Sequence, residues 1–476
     1  MKRSSLSVIA VAVLAALSFD EPPIRAQDQE PAPKPAARAY SVFTDPVNQD
    51  DAKADQSVSG IAPDTRPLTG IQYFTLGTPQ SRHSYWVPGF QYASTIVSSP
   101  LNGSPSSGWY ANNYFVGDLS LLDQWSQSQL SLNYSGGGFV STDKATGNGS
   151  YQQFGATHTS NWGRWQLQFM DQFSYLPETQ FGFGGATNLG VPGVGGSLAP
   201  TPPGLVGSVA PNQTIFSSVG PRYSNAFATQ STYAFTRRTS ITMAGSYGIL
   251  RFVDSGNVNS DNLVGNVGFN YVLTAADSIG VFYRFSSYHY SGNPEAIGDH
   301  TVNFAYGRKI SGRLALQLSG GPEITTFRVP IGTQTHRISG SGSAALTYAI
   351  PRGGLSLRYS HGIGGGSGVL IGSDSDQVTL GWDYQVSRMW RATASFGFAR
   401  NANLASGILQ NSQSYDSWFI TAGLTRPLGP STNFSLGYTA LIQRLGACPA
   451  GTCTASYTQH EISLGFRWNT RPFVIH

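Results

Sequence analysis

The chain has 476 residues, of which only 11% are Asp, Glu, Lys or Arg, while 12% are aromatic and 56 are glycine. A soluble domain carries about 25% charged residues, and a helical membrane protein needs runs of roughly 20 apolar residues, so the composition points away from both. The formal net charge of +4 comes from basic residues scattered along the chain without a large basic cluster, which argues against nucleic-acid binding.

Taken in order, residues 1–26 carry a charged start (Lys2, Arg3), an apolar run from Leu6 to Leu17 too short to span a bilayer, and Ile24-Arg25-Ala26 as a cleavage site. This pattern is that of an export signal. With no cysteine near the cut, a lipid-modified N-terminus is not expected. Residues 27–85 follow as a periplasmic tail, largely disordered. Its first part, to residue 65, is rich in Pro, Ala, Asp and Gln without periodicity.

From Trp86 the pattern becomes strict alternation. In 261–273 one face holds Leu263, Val267, Phe269 and Tyr271, and the other Asn262, Asn266 and Asn270. In 377–386, Val378, Leu380, Trp382 and Tyr384 alternate with Gln377, Thr379 and Asp383. The last such segment opposes Ile462, Leu464, Phe466 and Trp468 to Glu461, Ser463, Gly465 and Arg467. A period of two with one aromatic-rich apolar face and one small, polar and mostly uncharged face fits strands with lipid on one side and a wet lumen on the other.

Short turns, such as 236–239, 274–277 and 350–353, alternate with longer polar loops at 99–111, 178–221, 253–260, 290–297, 362–374, 401–413 and 446–456. Short periplasmic turns and long external loops are the habit of outer-membrane barrels. Both chain ends on the periplasmic side require an even strand number. The expectation is an all-β, transmembrane, antiparallel up-and-down barrel of about eighteen strands over 86–469, with 470–476 as a C-terminal extension. Sixteen strands is the alternative, because 149–159 alternates weakly.

These segments, their loop alternation and the aromatic-rich final strand 460–468 resemble bacterial outer-membrane β-barrel channels of the porin type. The resemblance is architectural and covers most of 86–469. It implies a Gram-negative outer membrane, contact with its lipid, and a terminal aromatic signal read by the barrel-assembly machinery, for which Phe466 and Trp468 are the candidates, with Phe473 displaced behind them. It also implies that the third external loop, 178–221, folds into the lumen and narrows it. That loop is rich in Gly and Pro and poor in charge, so it would select by size.

Inward by parity are Arg284, Glu323, Arg358, Asp383, Arg391, Glu461 and Arg467, candidates to line a solute path or to pair across the wall. Phe282, Phe419 and Leu441 also point inward, either as a stacking track or as wall filling. Cys448 and Cys453, the two cysteines, share the last external loop in an oxidising compartment and are read as a disulfide. The oxygen-rich stretches 254–261 and 373–376 fit no EF-hand spacing and are explained by turn chemistry. Gly362–Gly368 reads as a flexible loop, since a phosphate loop would need a following Gly-Lys-Ser/Thr. His460-Glu461 does not extend to a zinc motif because position 464 is Leu464, and no nucleophile motif stands out.

The expected function is passive diffusion of small polar solutes through an outer-membrane channel, with no enzyme activity, cofactor, catalytic residue or metal site. A homo-oligomer is left open. The alternatives are an accessory or plugged barrel in polysaccharide or protein export, a structural outer-membrane protein, and a barrel enzyme at the outer rim.

Overall fold

The computed structural model describes residues 84–98, 108–143, 147–176, 215, 221–236, 238–253, 257–274, 276–291, 296–311, 313–328, 334–404, 414–445 and 457–475. The strands are β1 (Ser84–Ser98), β2 (Trp109–Gln124), β3 (Ser128–Ser141), β4 (Gly149–Trp162), β5 (Trp165–Leu176), β6 (Arg222–Ala234), β7 (Thr239–Phe252), β8 (Ser260–Val272) and β9 (Asp277–Tyr290). They continue as β10 (Ala296–Lys309), β11 (Leu314–Arg328), β12 (Gln334–Ile350), β13 (Gly353–Gly364), β14 (Ser373–Gln385), β15 (Arg391–Asn403), β16 (Ser414–Pro427), β17 (Thr432–Leu445), β18 (Tyr457–Asn469) and the short β19 (Phe473–Ile475).

Every strand from β1 to β18 pairs antiparallel with its neighbours in sequence, and β1 closes the sheet on β18 through a register running from Gly89 opposite Asn469 to Val97 opposite Glu461. The result is a closed up-and-down barrel of eighteen strands. Closure gives each of β1 to β18 a partner strand on both edges, the condition for spanning a bilayer with strands. The weakly alternating segment settles in favour of eighteen: β4 pairs with β3 along one edge and β5 along the other.

Side-chain parity is as expected. Outward residues are large, apolar and exposed, reaching 62% at Phe304 and 78% at Ile338, while Asn303 and Ala305 on either side of Phe304 are buried. So much apolar exposure is untenable in water and natural in lipid. Trp162, Trp165 and Tyr233 stand at the short-turn ends, and Tyr175 and Tyr223 near the long-loop ends, which marks two aromatic girdles.

The sheet reaches past the expected barrel limits at both ends. It begins at Ser84, and β19, in the segment read as an extension, pairs Phe473–Ile475 with Trp86–Ser84. The rings of Trp86 and Phe473 stack with centroids 4.8 Å apart. The C-terminal residues thus lengthen the periplasmic end of the β1–β18 seam.

Candidate functional site

The inner wall carries many amides and hydroxyls, because Ser, Thr, Asn and Gln recur at the inward strand positions. Ser341 donates to Asn303 Oδ1 at 2.9 Å, Ser375 donates to Asn401 Oδ1 at 2.9 Å, and Asn270 donates to Thr242 Oγ1 at 3.4 Å. Such groups can exchange hydrogen bonds with a passing solute as readily as with each other.

Along this wall the inward charges are largely paired. Asp383 on β14 accepts from Arg391 on β15 at 2.7 Å. Arg467 on β18 donates to Asp118 on β2 at 2.6 Å. Arg284 on β9 lies 3.4 Å from Asp299 on β10 and 3.6 Å from Glu323 on β11. Thr301 donates to Asp299 at 3.1 Å and Ser339 to Glu323 at 3.2 Å.

Of the residues predicted to face inward, Arg284 and Glu323 meet in one cluster and Asp383 and Arg391 meet in another. Arg358, between Ala345 of β12 and Thr379 of β14 in register, makes no ion pair among the described residues. Glu461 faces in beside Val97 and Thr439 in register. Two acidic partners, Asp118 and Asp299, were not singled out from the sequence, because the pairing depends on register. Phe419 and Leu441 sit opposite each other in register and are both buried, while Phe282 packs with Ala305 on another part of the wall. The three do not form one aromatic track. Phe466 and Trp468 face outward and exposed. Cys448 and Cys453 lie outside the described residues. Asp374 and Asp376 are engaged by Arg337, His361 and Tyr359.

The loop expected to narrow the lumen, 178–221, lies outside the described residues apart from Ile215 and Pro221, and among the described residues a second segment turns inward. Gly362–Gly364 end β13, and the following segment 365–372 forms a short turn, Gly366–Gly368, that crosses the extracellular mouth as an inward strap. Tyr288 donates to the Ile363 carbonyl at 3.2 Å, Tyr290 to the Gly365 carbonyl at 3.3 Å, and the Val258 N–H to the Gly368 carbonyl at 2.8 Å. Gly366, Gly368 and Gly372 all have positive φ, and a Cβ on Gly368 would strike the Phe252 ring. Here glycine is required by backbone shape and close approach, rather than for mobility.

Beneath these bonds, Ile363 joins a buried cluster with Tyr288, Tyr290, Ile297, Phe327 and Leu404, with Ile371 packed against it. Leu370, 2% exposed, packs with Tyr415 of β16 and with Ile215, 3% exposed. Ile215 belongs to the long β5–β6 connection, nearly opposite β16 around the barrel. Two external loops therefore meet over the lumen at Leu370 and Ile215. A closed eighteen-strand wall, apolar outside and polar inside, with loops turned in at one end, is the architecture of an outer-membrane β-barrel.

No family model matches the chain, and no curated protein matches it. Among solved structures, Pseudomonas aeruginosa OpdQ is 10% identical, covering 82% of this chain and 98% of its own, with a TM-score of 0.41. Acinetobacter baumannii OccAB1 is 9% identical over 82% and 99%, with a TM-score of 0.43. Pseudomonas aeruginosa OccK9 (OpdG) is 11% identical over 81% and 98%, also with a TM-score of 0.43.

Proposed function

We propose that the protein is an outer-membrane channel through which small polar solutes diffuse passively, narrowed at its extracellular mouth by the strap 365–372, against which Ile215 packs. The observation that carries this reading is the combination of an inner wall rich in amides, hydroxyls and paired charges with the Leu370–Ile215 meeting point above it. This wall replaces part of a solute's hydration, and the loops limit what enters. Opposite charges alternate along the wall and largely cancel one another, so selection rests on size and hydrogen bonding more than on a strong field.

The remaining parts fit this reading. An export signal in 1–26 would deliver the chain, and 27–83 would lie on the periplasmic side with β19. Phe466 and Trp468, on the outer face of the closing strand, would be read by the assembly machinery. Cys448 and Cys453 would staple the last external loop.

Liposome swelling tests the proposal. Vesicles carrying the folded protein should swell in small neutral polar solutes such as glycerol or a pentose, with rates that fall steeply as solute size rises. Rates equal to protein-free vesicles for every solute would refute it.

A further inference from the structure

One seam of the wall is paired over only part of its height. β12 pairs with β11 from Tyr348 opposite Leu314 up to Gln334 opposite Arg328, but with β13 only from Ile350 opposite Gly353 up to Gly342 opposite His361. Residues 334–341 of β12 therefore have no partner strand on their β13 side among the described residues. In an antiparallel strand every second residue turns its N–H and C=O toward a given edge, so the top of β12 leaves a row of backbone donors and acceptors open.

β13 leaves this edge by turning inward. Alternation from Tyr359, which is 41% exposed, places Ile363 outward, yet Ile363 is 9% exposed and packs with Tyr288, Ile297 and Phe327 from the inner faces of β9, β10 and β11. A Cβ on Gly362 would lie 3.7 Å from Glu323 Oε1 on that same inner face.

Arg337 crosses the seam. It faces inward by parity, since Ser339 donates to the buried Glu323 whereas Ile338 is 78% exposed. Asp374 faces outward by parity, because Ser373 and Ser375 on either side of it are buried. The two side chains nevertheless meet, Nη2 to Oδ2, at 2.5 Å. An inward group of β12 reaches an outward group of β14 in this way where the strands overlap as two layers. The tops of β13 and β14 thus lie inside the top of β12, with a slit between the layers.

Its height follows from the strand. At about 3.3 Å per residue and a tilt near 40°, Gly342 stands roughly 15 Å and Ile338 roughly 25 Å above Tyr348, which is exposed at the short-turn end of β12. The open edge therefore begins in the upper part of an apolar band about 25 Å tall. Unpaired backbone at that depth is tolerated where it lines a wet cavity. The slit has a lipid-side lip at Ile338, Gly340 and Gly342 and a lumen side at Ser339 and Ser341, which bond to Glu323 and Asn303.

We propose that this slit is a side door between the outer leaflet and the lumen for single-chain amphiphiles with a carboxylate head. The head exchanges hydrogen bonds with the open edge of β12 and takes the place of Asp374 on Arg337, so one carboxylate substitutes for another at the cation. The chain stays in lipid, where Gly340 and Gly342 put no side chain in its way and Ile338 offers apolar surface. Arg337 and Asp374 form the latch, and with side chains 42% and 21% exposed the pair is open enough to water to be weakly held. The side door lies beside the axial channel and does not depend on it.

The test uses the full mature chain folded into vesicles that contain a small fraction of a long-chain carboxylate bearing a photoreactive diazirine next to its head. After illumination, label should map to the lumen-facing Ser339 and Ser341 as well as to the outward Ile338. Gly340→Trp fills the lip, where a Cβ would meet only the Gly321 carbonyl oxygen, at 3.9 Å, and should lower the inner labelling severalfold. Arg337→Gln removes the cation, should lower it as well, and decides the matter if the tryptophan variant does not fold. Both variants should keep heat-modifiable mobility and wild-type swelling in glycerol, so that loss of the side door and loss of the axial channel are read separately. Label confined to outward residues in the wild type, or inner labelling unchanged in both variants, as entry through the mouth gives, would overturn the proposal.

Discussion

Arg467 on β18 and Asp118 on β2 are joined across the intervening strand β1, Nη2 to Oδ2 at 2.6 Å, with only 6% and 4% of their side chains exposed. The bridge passes over Gly89 of β1, where a Cβ would lie 2.6 Å from the Asp118 carboxylate and from the Asn469 side chain. One ion pair therefore ties the last full strand to the second over the seam where the barrel closes. Removing one partner of a buried pair leaves a lone buried charge and costs about 3 kcal/mol. Asp118→Ala should lower the temperature of the folded-to-unfolded gel mobility shift, and Gly89→Val should do so as well by displacing the bridge. A shift temperature equal to wild type in both would show that the seam does not depend on the pair.

The β19 stack reinforces the same seam. Phe473→Ala removes the partner of Trp86, a loss of about 1 kcal/mol for an aromatic pair. Urea denaturation in vesicles should show a correspondingly lower midpoint with an unchanged slope, and the variant should fold into vesicles more slowly.

Leu370 holds the strap through apolar packing. Leu370→Ala should weaken that anchorage by about 3 kcal/mol, and single channels should show larger or noisier open steps than wild type. Tyr288→Phe removes only the hydrogen bond to the Ile363 carbonyl, worth about 1 kcal/mol, and should produce the same change to a smaller degree.

Arg358 is an inward cation that makes no ion pair among the described residues, so its charge is available to a permeating ion. Arg358→Glu should move the zero-current potential in a salt gradient toward cation preference. Arg391→Gln should act in the same direction by freeing Asp383. No movement in either variant would place both groups away from the ion path.

Much of this architecture is legible in the sequence, because a two-residue period that faces lipid on one side forces apolar residues to alternate. Leu263, Val267, Phe269 and Tyr271 can be assigned a face without coordinates, and so can Arg284 and Glu323. The pairing of those charges is less accessible, since Asp299 and Asp118 meet their partners only through register. Asp118 also follows Val116 on the inward face of β2, where an apolar residue blurs the alternation. The strap was hidden for a different reason. Loops have no period, and glycine serves a flexible loop and a tightly packed positive-φ turn equally well. The apolar run Val369-Leu370-Ile371 was the available sign that this loop packs inward.

The most direct test is single-channel recording in a planar bilayer, comparing the wild type with a variant in which Gly366–Ile371 is replaced by a short serine-rich link. Stable open steps in the wild type, enlarged severalfold in the variant, are the predicted result. Silence from both proteins, with folding verified by heat-modifiable mobility, would contradict the channel and favour a barrel whose lumen is closed.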